Sequence, residues 1–246
     1  AKKQSPIRIM EYSSKEEIGK TILIIAAHPD DEVLGCGASI AKWSNAGDSV
    51  HILIMAEGET SRAEVRDINL NSKELSLLAN SAKEAGKVLG AASVKVLGLP
   101  DNRMDSLDQL DVIKLIEKEI GRLRPHTVVT HYGGDLNIDH RITHEAVVTA
   151  CRPQTGHCVQ KLLEFEVASS TGWQSTSLGA AFNPNWYEDV SDTLDRKIKA
   201  LEVYKSEMRH WPHARSIQSV ENLAKYRGAS VGRNAAEGFM LLRIIR

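Results

Sequence analysis

Cysteine is scarce in this 246-residue chain, with only Cys36, Cys151 and Cys158. Three thiols cannot all pair with one another, and none stands in Cys-x-x-Cys spacing, so they read as reduced, mostly buried side chains of a cytosolic protein. An excess of either charge is also missing: 31 basic and 32 acidic residues leave a formal net charge of −1. No basic stripe stands out, so nothing points to nucleic acid as a partner. No apolar run approaches the roughly 18 residues of a membrane span, and the start, Ala1-Lys2-Lys3-Gln4, lacks the apolar core of a signal peptide. Internal repeats, low-complexity stretches and a second domain boundary are absent too. What remains, 42% hydrophobic and 26% charged residues, describes an ordinary globular chain. One domain over residues 1–246 in a cytoplasmic location is the expectation, with the oligomeric state open, a homo-oligomer included.

Thr21 to Leu34 is the most informative stretch. Ile22 to Ala27 is a short, continuous, β-branched apolar run, which suits a strand buried on both faces of a parallel sheet. It stops at His28-Pro29-Asp30-Asp31-Glu32. Pro29 cannot donate to a ladder, so the chain leaves the sheet where the ionisable cluster begins. In open α/β sheets ligands bind at this carboxyl edge. One of the acids could serve simply as a helix cap, but an imidazole beside two carboxylates exceeds what capping needs. Mixed imidazole and carboxylate ligands suit zinc.

Along the rest of the chain, apolar runs alternate with helical patterns. Strands are expected at Ser49–Ala56, Val94–Leu97, Thr127–His131, Leu162–Ala168 and Phe239–Ile244. Helices are expected over Val33–Asn45, Glu64–Leu89 and Asp108–Arg122, from about Asp139 to Arg152, from Ser191 to about Glu207, and over Asn222–Tyr226. Strand and helix units linked this closely predict an α/β, Rossmann-like fold, with a mostly parallel sheet and helices on both faces. Gly35-Cys36-Gly37 falls short of a dinucleotide loop, since Ile40 occupies the sixth position of the fingerprint, and reads as close helix packing. Two further strand-end loops carry acids and an arginine: Glu57–Arg62, and Gly98–Asp105 with Asp101, Arg103 and Asp105. His140 and His144 share a helix face four residues apart, as zinc histidines do in His-Glu-x-x-His proteases, but Arg141 stands where that glutamate would be. His131 adds a third imidazole, and the residues alone do not choose among them.

Ala27-His28-Pro29-Asp30-Asp31-Glu32 after one strand and Asp139-His140-Arg141 after a later one resemble the LmbE-like or PIG-L family of zinc-dependent N-deacetylases. Leu99-Pro100-Asp101 and Ala236-Glu237-Gly238-Phe239 extend the likeness. It implies one zinc ion per chain on His28, Asp31 and His140, selecting His140 over His144, with Asp30 as general base. It implies removal of an acetyl group from a small amino sugar or glycoconjugate. Three protein ligands would leave the metal an open position for water, and Asp30 would move the proton. Asp139 would orient a nearby imidazole. Many family members have His-Pro-Asp-His where this chain has Asn137-Ile138-Asp139-His140. Asn137 can donate to an oxyanion but cannot carry a proton. Arg62, Arg103 and the Trp211–Arg215 segment, with His213 and Arg215, are expected at the substrate. An amidase acting on a thiol conjugate needs the same metal and base. A magnesium-binding receiver-like domain would also carry an acidic pair after its first strand, but it gives His28 and the Asp139-His140 pair no role.

Overall fold

The structure is a computed structural model that describes residues 19–62, 67, 72–175 and 181–246. Among these residues seven strands form one sheet in the order β3-β2-β1-β4-β5-β7-β6. They are β1 (Thr21–Ala26), β2 (Ser49–Ala56), β3 (Ser93–Leu99), β4 (Thr127–His131), β5 (Lys161–Phe165), β6 (Trp186–Asp189) and β7 (Ala236–Ile244). The first five are parallel neighbours, and β7 runs antiparallel to both β5 and β6. Among the described residues six α-helices accompany them: α1 (Asp31–Asn45), α2 (Ser72–Leu89), α3 (Gln109–Leu123), α4 (Ile138–Ala150), α5 (Leu194–Val203) and α6 (Ile217–Ala229). Among the described residues no helix is long and apolar enough to cross a membrane.

The alternation of β1 decides which helices lie where. Ile22, Ile24 and Ala26 face one layer, packing with Ile40 of α1, Leu78 and Ala82 of α2 and Leu201 of α5. Leu23 and Ile25 face the other, with Ile116 and Ile120 of α3 and Ala146 and Val147 of α4. A strand wetted on neither face needs no polar alternation, which is why its sequence is a continuous apolar run. The chain winds outward from β1 to β3 and then crosses back to place β4 on the other side of β1. That reversal leaves a crevice beyond the carboxyl ends of β1 and β4.

The α1 sequence contains a break with a built-in remedy. Cys36 has φ −146° and ψ 25°, outside helical values. Gly35 passes so close to the Phe165 ring that a Cβ there would lie 2.2 Å from it, so the glycine is a packing residue, as its sequence context suggests. The break strands a carbonyl before it and amides after it. Lys197 Nζ donates to Leu34 O at 2.8 Å, while Glu237 accepts from Ala38 N at 3.2 Å and Ser39 N at 2.7 Å. Lys197 and Glu237 pair with each other at 2.6 Å with both side chains buried. Such an ion pair is viable in a core because every charge also finds backbone partners.

The C-terminal third departs most from the sequence pattern. The expected helix from Ser191 is shorter, Leu194–Val203, and dissolves into turns at Tyr204–Glu207. The helix expected over Asn222–Tyr226 is longer, Ile217–Ala229, because the Ser216 side chain accepts from Ser219 N and caps it. Trp186–Asp189 forms an edge strand that no periodicity announced. The residues before Ser72 in the long helix expected from Glu64 lie outside the described residues, Asp67 apart.

Candidate metal centre and active-site cleft

The turn after β1 and the first turn of α4 meet in the crevice. His28 N donates to Asp31 Oδ2 at 2.9 Å, and His28 Nδ1 lies 3.2 Å from the same oxygen. His140 Nε2 approaches that oxygen to 3.0 Å. One donor atom from each of His28, Asp31 and His140 thus falls within 4.8 Å of the others, and all three residues are buried. His28, Asp101 and Asp139 make a second group of the same kind.

Each imidazole is backed by a carboxylate on its far nitrogen. His140 Nδ1 lies 3.1 Å from Asp135 Oδ1, and Asp135 Oδ2 accepts from Thr171 Oγ1 at 2.5 Å and Ser170 Oγ at 3.0 Å. His28 Nε2 lies 3.0 Å from Asp139 Oδ2 and 3.3 Å from Asp101 Oδ1. Asp139 is itself fixed by Asn102 N at 2.7 Å and Met104 N at 3.0 Å. Backing of this kind assigns the N–H to the outer nitrogen and turns a lone pair inward. Two inward lone pairs then face one carboxylate, an arrangement that demands positive charge between them. Asp31 Oδ1 and His140 Nε2 are buried without hydrogen-bond partners; the approach of His140 to Asp31 is short but lacks hydrogen-bond geometry. These residues fit a divalent cation. With protons in its stead, burial works against charging His28, but Asp139 and Asp31 outweigh it and push its pKa up to about 10. Burial likewise opposes charge on His140, and Asp31 and Asp135 raise it to about 9. The reciprocal pull of the imidazoles overcomes burial of Asp31 and holds its carboxyl well below the usual range.

The other imidazoles have different duties. His131 accepts from Ala27 N at 2.8 Å and stacks on His140 with ring centroids 3.8 Å apart, which braces the ring. Burial, then the neighbouring His140, keeps it neutral. His144, one turn along α4, puts Nδ1 2.9 Å from Glu164 and 3.1 Å from the His131 carbonyl, outside the convergent group.

Asp30 sits beside this centre in a left-handed backbone conformation, φ 108° and ψ −29°. An L-residue with a Cβ is strained there. Glu32 Oε2 accepts from Asp30 N at 3.1 Å, and Glu32 Oε1 accepts from the Tyr204 hydroxyl at 2.6 Å, so a buried strut from the end of α5 holds the turn. Arg215 Nη1 lies 3.0 Å from Asp30 Oδ2, whereas Asp30 Oδ1 has no partner. Burial pushes the Asp30 carboxyl well up, Arg215 pulls against it, and Asp31, Glu207 and Glu32 add to the rise. Adjacent carboxylates thus diverge, one held ionised and one disposed to take a proton.

An open cleft of about 360 Å³ leads to the centre, with Asn137, Ser169, Ser170, Trp173, His213 and Arg215 in its walls. His213 stands edge-on to the Trp173 ring, centroids 5.5 Å apart. Asn137 caps α4, its Oδ1 accepting from Asp139 N at 2.8 Å, and its Nδ2 donates to Asn102 Oδ1 at 2.8 Å. Arg103 is half-buried in the loop whose neighbours Asp101, Asn102 and Met104 reach His28 or Asp139, and it does not line the cleft. Arg62 closes a short 3-10 turn, Thr60–Arg62, and its side chain lies outside the described residues. Sequence reasoning missed Asp135, Tyr204 and Trp173, and placed Glu32 in the ionisable cluster without giving it a role. Asp135 alone carried a signal, an acid just past a strand end after Gly133-Gly134.

Residues 23–151 match the family described as PIG-L: GlcNAc-PI de-N-acetylase. The uncharacterized deacetylase YaiS of Escherichia coli (strain K12) is 30% identical, over 76% of this chain and 91% of that protein. Diacetylchitobiose deacetylase of Thermococcus kodakarensis is 26% identical, over 89% of this chain and 82% of that protein. Among solved structures, N,N'-diacetylchitobiose deacetylase from Pyrococcus horikoshii superposes with a TM-score of 0.71, at 20% identity, covering 91% of this chain and 84% of that one. That likeness is one of fold.

Proposed function

The chain belongs to the PIG-L family of N-deacetylases, and from that premise we propose that it is a zinc-dependent hydrolase that removes the acetyl group from an amino sugar or glycoconjugate. The observation that carries the reading is the meeting of His28, Asp31 and His140 at the switch point of the sheet, with Asp30 alongside. Zinc held by those three side chains would supply the Lewis acidity that activates water and polarises the amide carbonyl.

The other roles belong to the chain itself. Asp30 accepts the proton of the attacking water and returns it to the departing amine, for which its unpartnered Oδ1 is available. Asp139 and Asp135 hold the two imidazoles in the required tautomer. Asn137 is anchored as a helix cap at the cleft; its amide nitrogen gives one N–H to Asn102 Oδ1 and has a second to offer the substrate oxygen. His213 and Arg215 contribute to the cleft wall, and Arg215 also steadies Asp30.

A panel of N-acetylated amino sugars, free, nucleotide-linked and glycosidic, assayed for released amine or acetate, tests the reading. Turnover of a sugar acetamide and none of acetyl-lysine is the expected outcome. No release from any sugar by folded, zinc-loaded protein would overturn it in favour of amide hydrolysis on a thiol conjugate.

A further inference from the structure

Trp173 is 58% exposed, and it is exposed into the cleft. Solitary apolar side chains on a surface are ordinary. This one is held at a fixed distance from the chemistry. Its turn begins at Ser169, whose carbonyl accepts from Trp173 N at 3.2 Å. The same turn carries Ser170 and Thr171, both on the Asp135 carboxylate that backs His140. His213 packs against the indole at an interplanar angle of 83°, and His213 Nδ1 accepts from Arg215 N at 2.9 Å. Arg215 in turn reaches Asp30. Both halves of an aromatic wall are therefore tied, through one or two residues, to the candidate ligand and the candidate base. Leu136, 46% exposed, extends the apolar surface beside it.

We propose that Trp173, braced by His213, is a stacking platform for the pyranose ring of the substrate, so that the enzyme selects a closed sugar ring and not merely an acetamide. The proposal rests on the amino-sugar reading above and specifies how that substrate is recognised. A pyranose presents a face of C–H bonds with hydroxyls around its rim. The negative face of an indole attracts those C–H groups, and the open cleft leaves the hydroxyls to water and polar walls. The platform acts on the whole ring, in the ground state and transition state alike, so its contribution falls on KM.

The test compares an N-acetylated pyranoside with the ring-opened N-acetylamino alditol bearing the same acetamide. Trp173→Ala should raise KM for the pyranoside about tenfold with kcat unchanged, the worth of one aromatic contact. Turnover of the alditol and metal content should not change, and Trp173→Phe should stay within about threefold of wild type. Binding is read separately, by titrating the methyl glycoside of N-acetylglucosamine into Asp30→Asn protein and following tryptophan fluorescence. Quenching that vanishes in Trp173→Phe and persists in Trp186→Phe is expected. An unchanged KM in Trp173→Ala, or an equal loss on the alditol, overturns the platform. If wild type hydrolyses no sugar, the functional reading fails, and the fluorescence titration still decides whether Trp173 receives a sugar ring.

Discussion

The Arg215 guanidinium lies 3.0 Å from the Asp30 carboxylate, a contact between residues 185 positions apart. It brings a cation from the turn before α6 to an acid at the start of α1, and Glu207, 3.7 Å from the same guanidinium, shares it. Arg215 thereby does more than line a cleft. It opposes the rise that burial imposes on the Asp30 carboxyl.

Removing that cation has a definite sign. In the role proposed for it, Asp30 must be deprotonated to accept a proton, so activity should fall on the acid side as pH drops through its pKa. With Arg215→Gln, burial and the neighbouring acids act unopposed, the pKa rises, and the acidic limb of kcat/KM moves to higher pH. Arg215→Lys should restore part of the shift. A profile identical to wild type would show that Arg215 does not tune Asp30.

The proposed metal set separates His140 from His144. His28→Ala, Asp31→Ala and His140→Ala should each lose stoichiometric zinc by elemental analysis, and His144→Ala should keep it, since its ring is engaged by Glu164 and the His131 carbonyl. Loss of zinc in the His144 variant alone would reverse the assignment.

Asp30→Asn should retain zinc and fold yet lower kcat by roughly two to four orders of magnitude, the worth of a positioned acid–base group. KM should move less, because the lost interaction belongs to the transition state. Lost zinc, or activity within a few-fold of wild type, would make Asp30 a ligand or a cap.

Tyr204→Phe removes the hydroxyl that holds Glu32 and leaves a buried carboxylate oxygen short of a partner, which should cost about 1–3 kcal/mol in denaturant unfolding. With the strut loosened, kcat should fall while KM and zinc content hold. If stability drops and kcat does not, the strut supports the fold without positioning Asp30.

Local signals carried far in this chain. The parallel strands and the helices on both sides were legible because apolar run and helical period are properties of contiguous residues, and His28-Pro29-Asp30-Asp31 declared itself because Pro29 ends a strand. Tyr204 and Trp173 were not legible, since each gains its role from a residue far along the chain, Glu32 across 172 positions and His213 across 40; Asp135, only five residues before His140, gains its role from the ring nitrogen that the fold turns toward it. The edge strand Trp186–Asp189 escaped because it exists only by pairing with β7, which arrives 47 residues later, from 189 to 236. Asn137 illustrates the converse. Its sequence position marked it as a stand-in for a catalytic histidine, while the backbone uses it first as a helix cap.

The left-handed turn at Asp30 sets two kinds of selection against each other. A residue with a Cβ at φ 108° carries about 1–3 kcal/mol of strain, an appreciable share of the roughly 5–15 kcal/mol by which a domain is stable. Glycine would relieve that strain and remove the proposed proton carrier in a single substitution. On the proposed mechanism, the fold bears a standing liability that the reaction justifies. In a lineage that had abandoned the chemistry, position 30 should be among the first to drift, with glycine as the favoured replacement, and a glycine there would mark a pseudoenzyme before any ligand of the metal had changed.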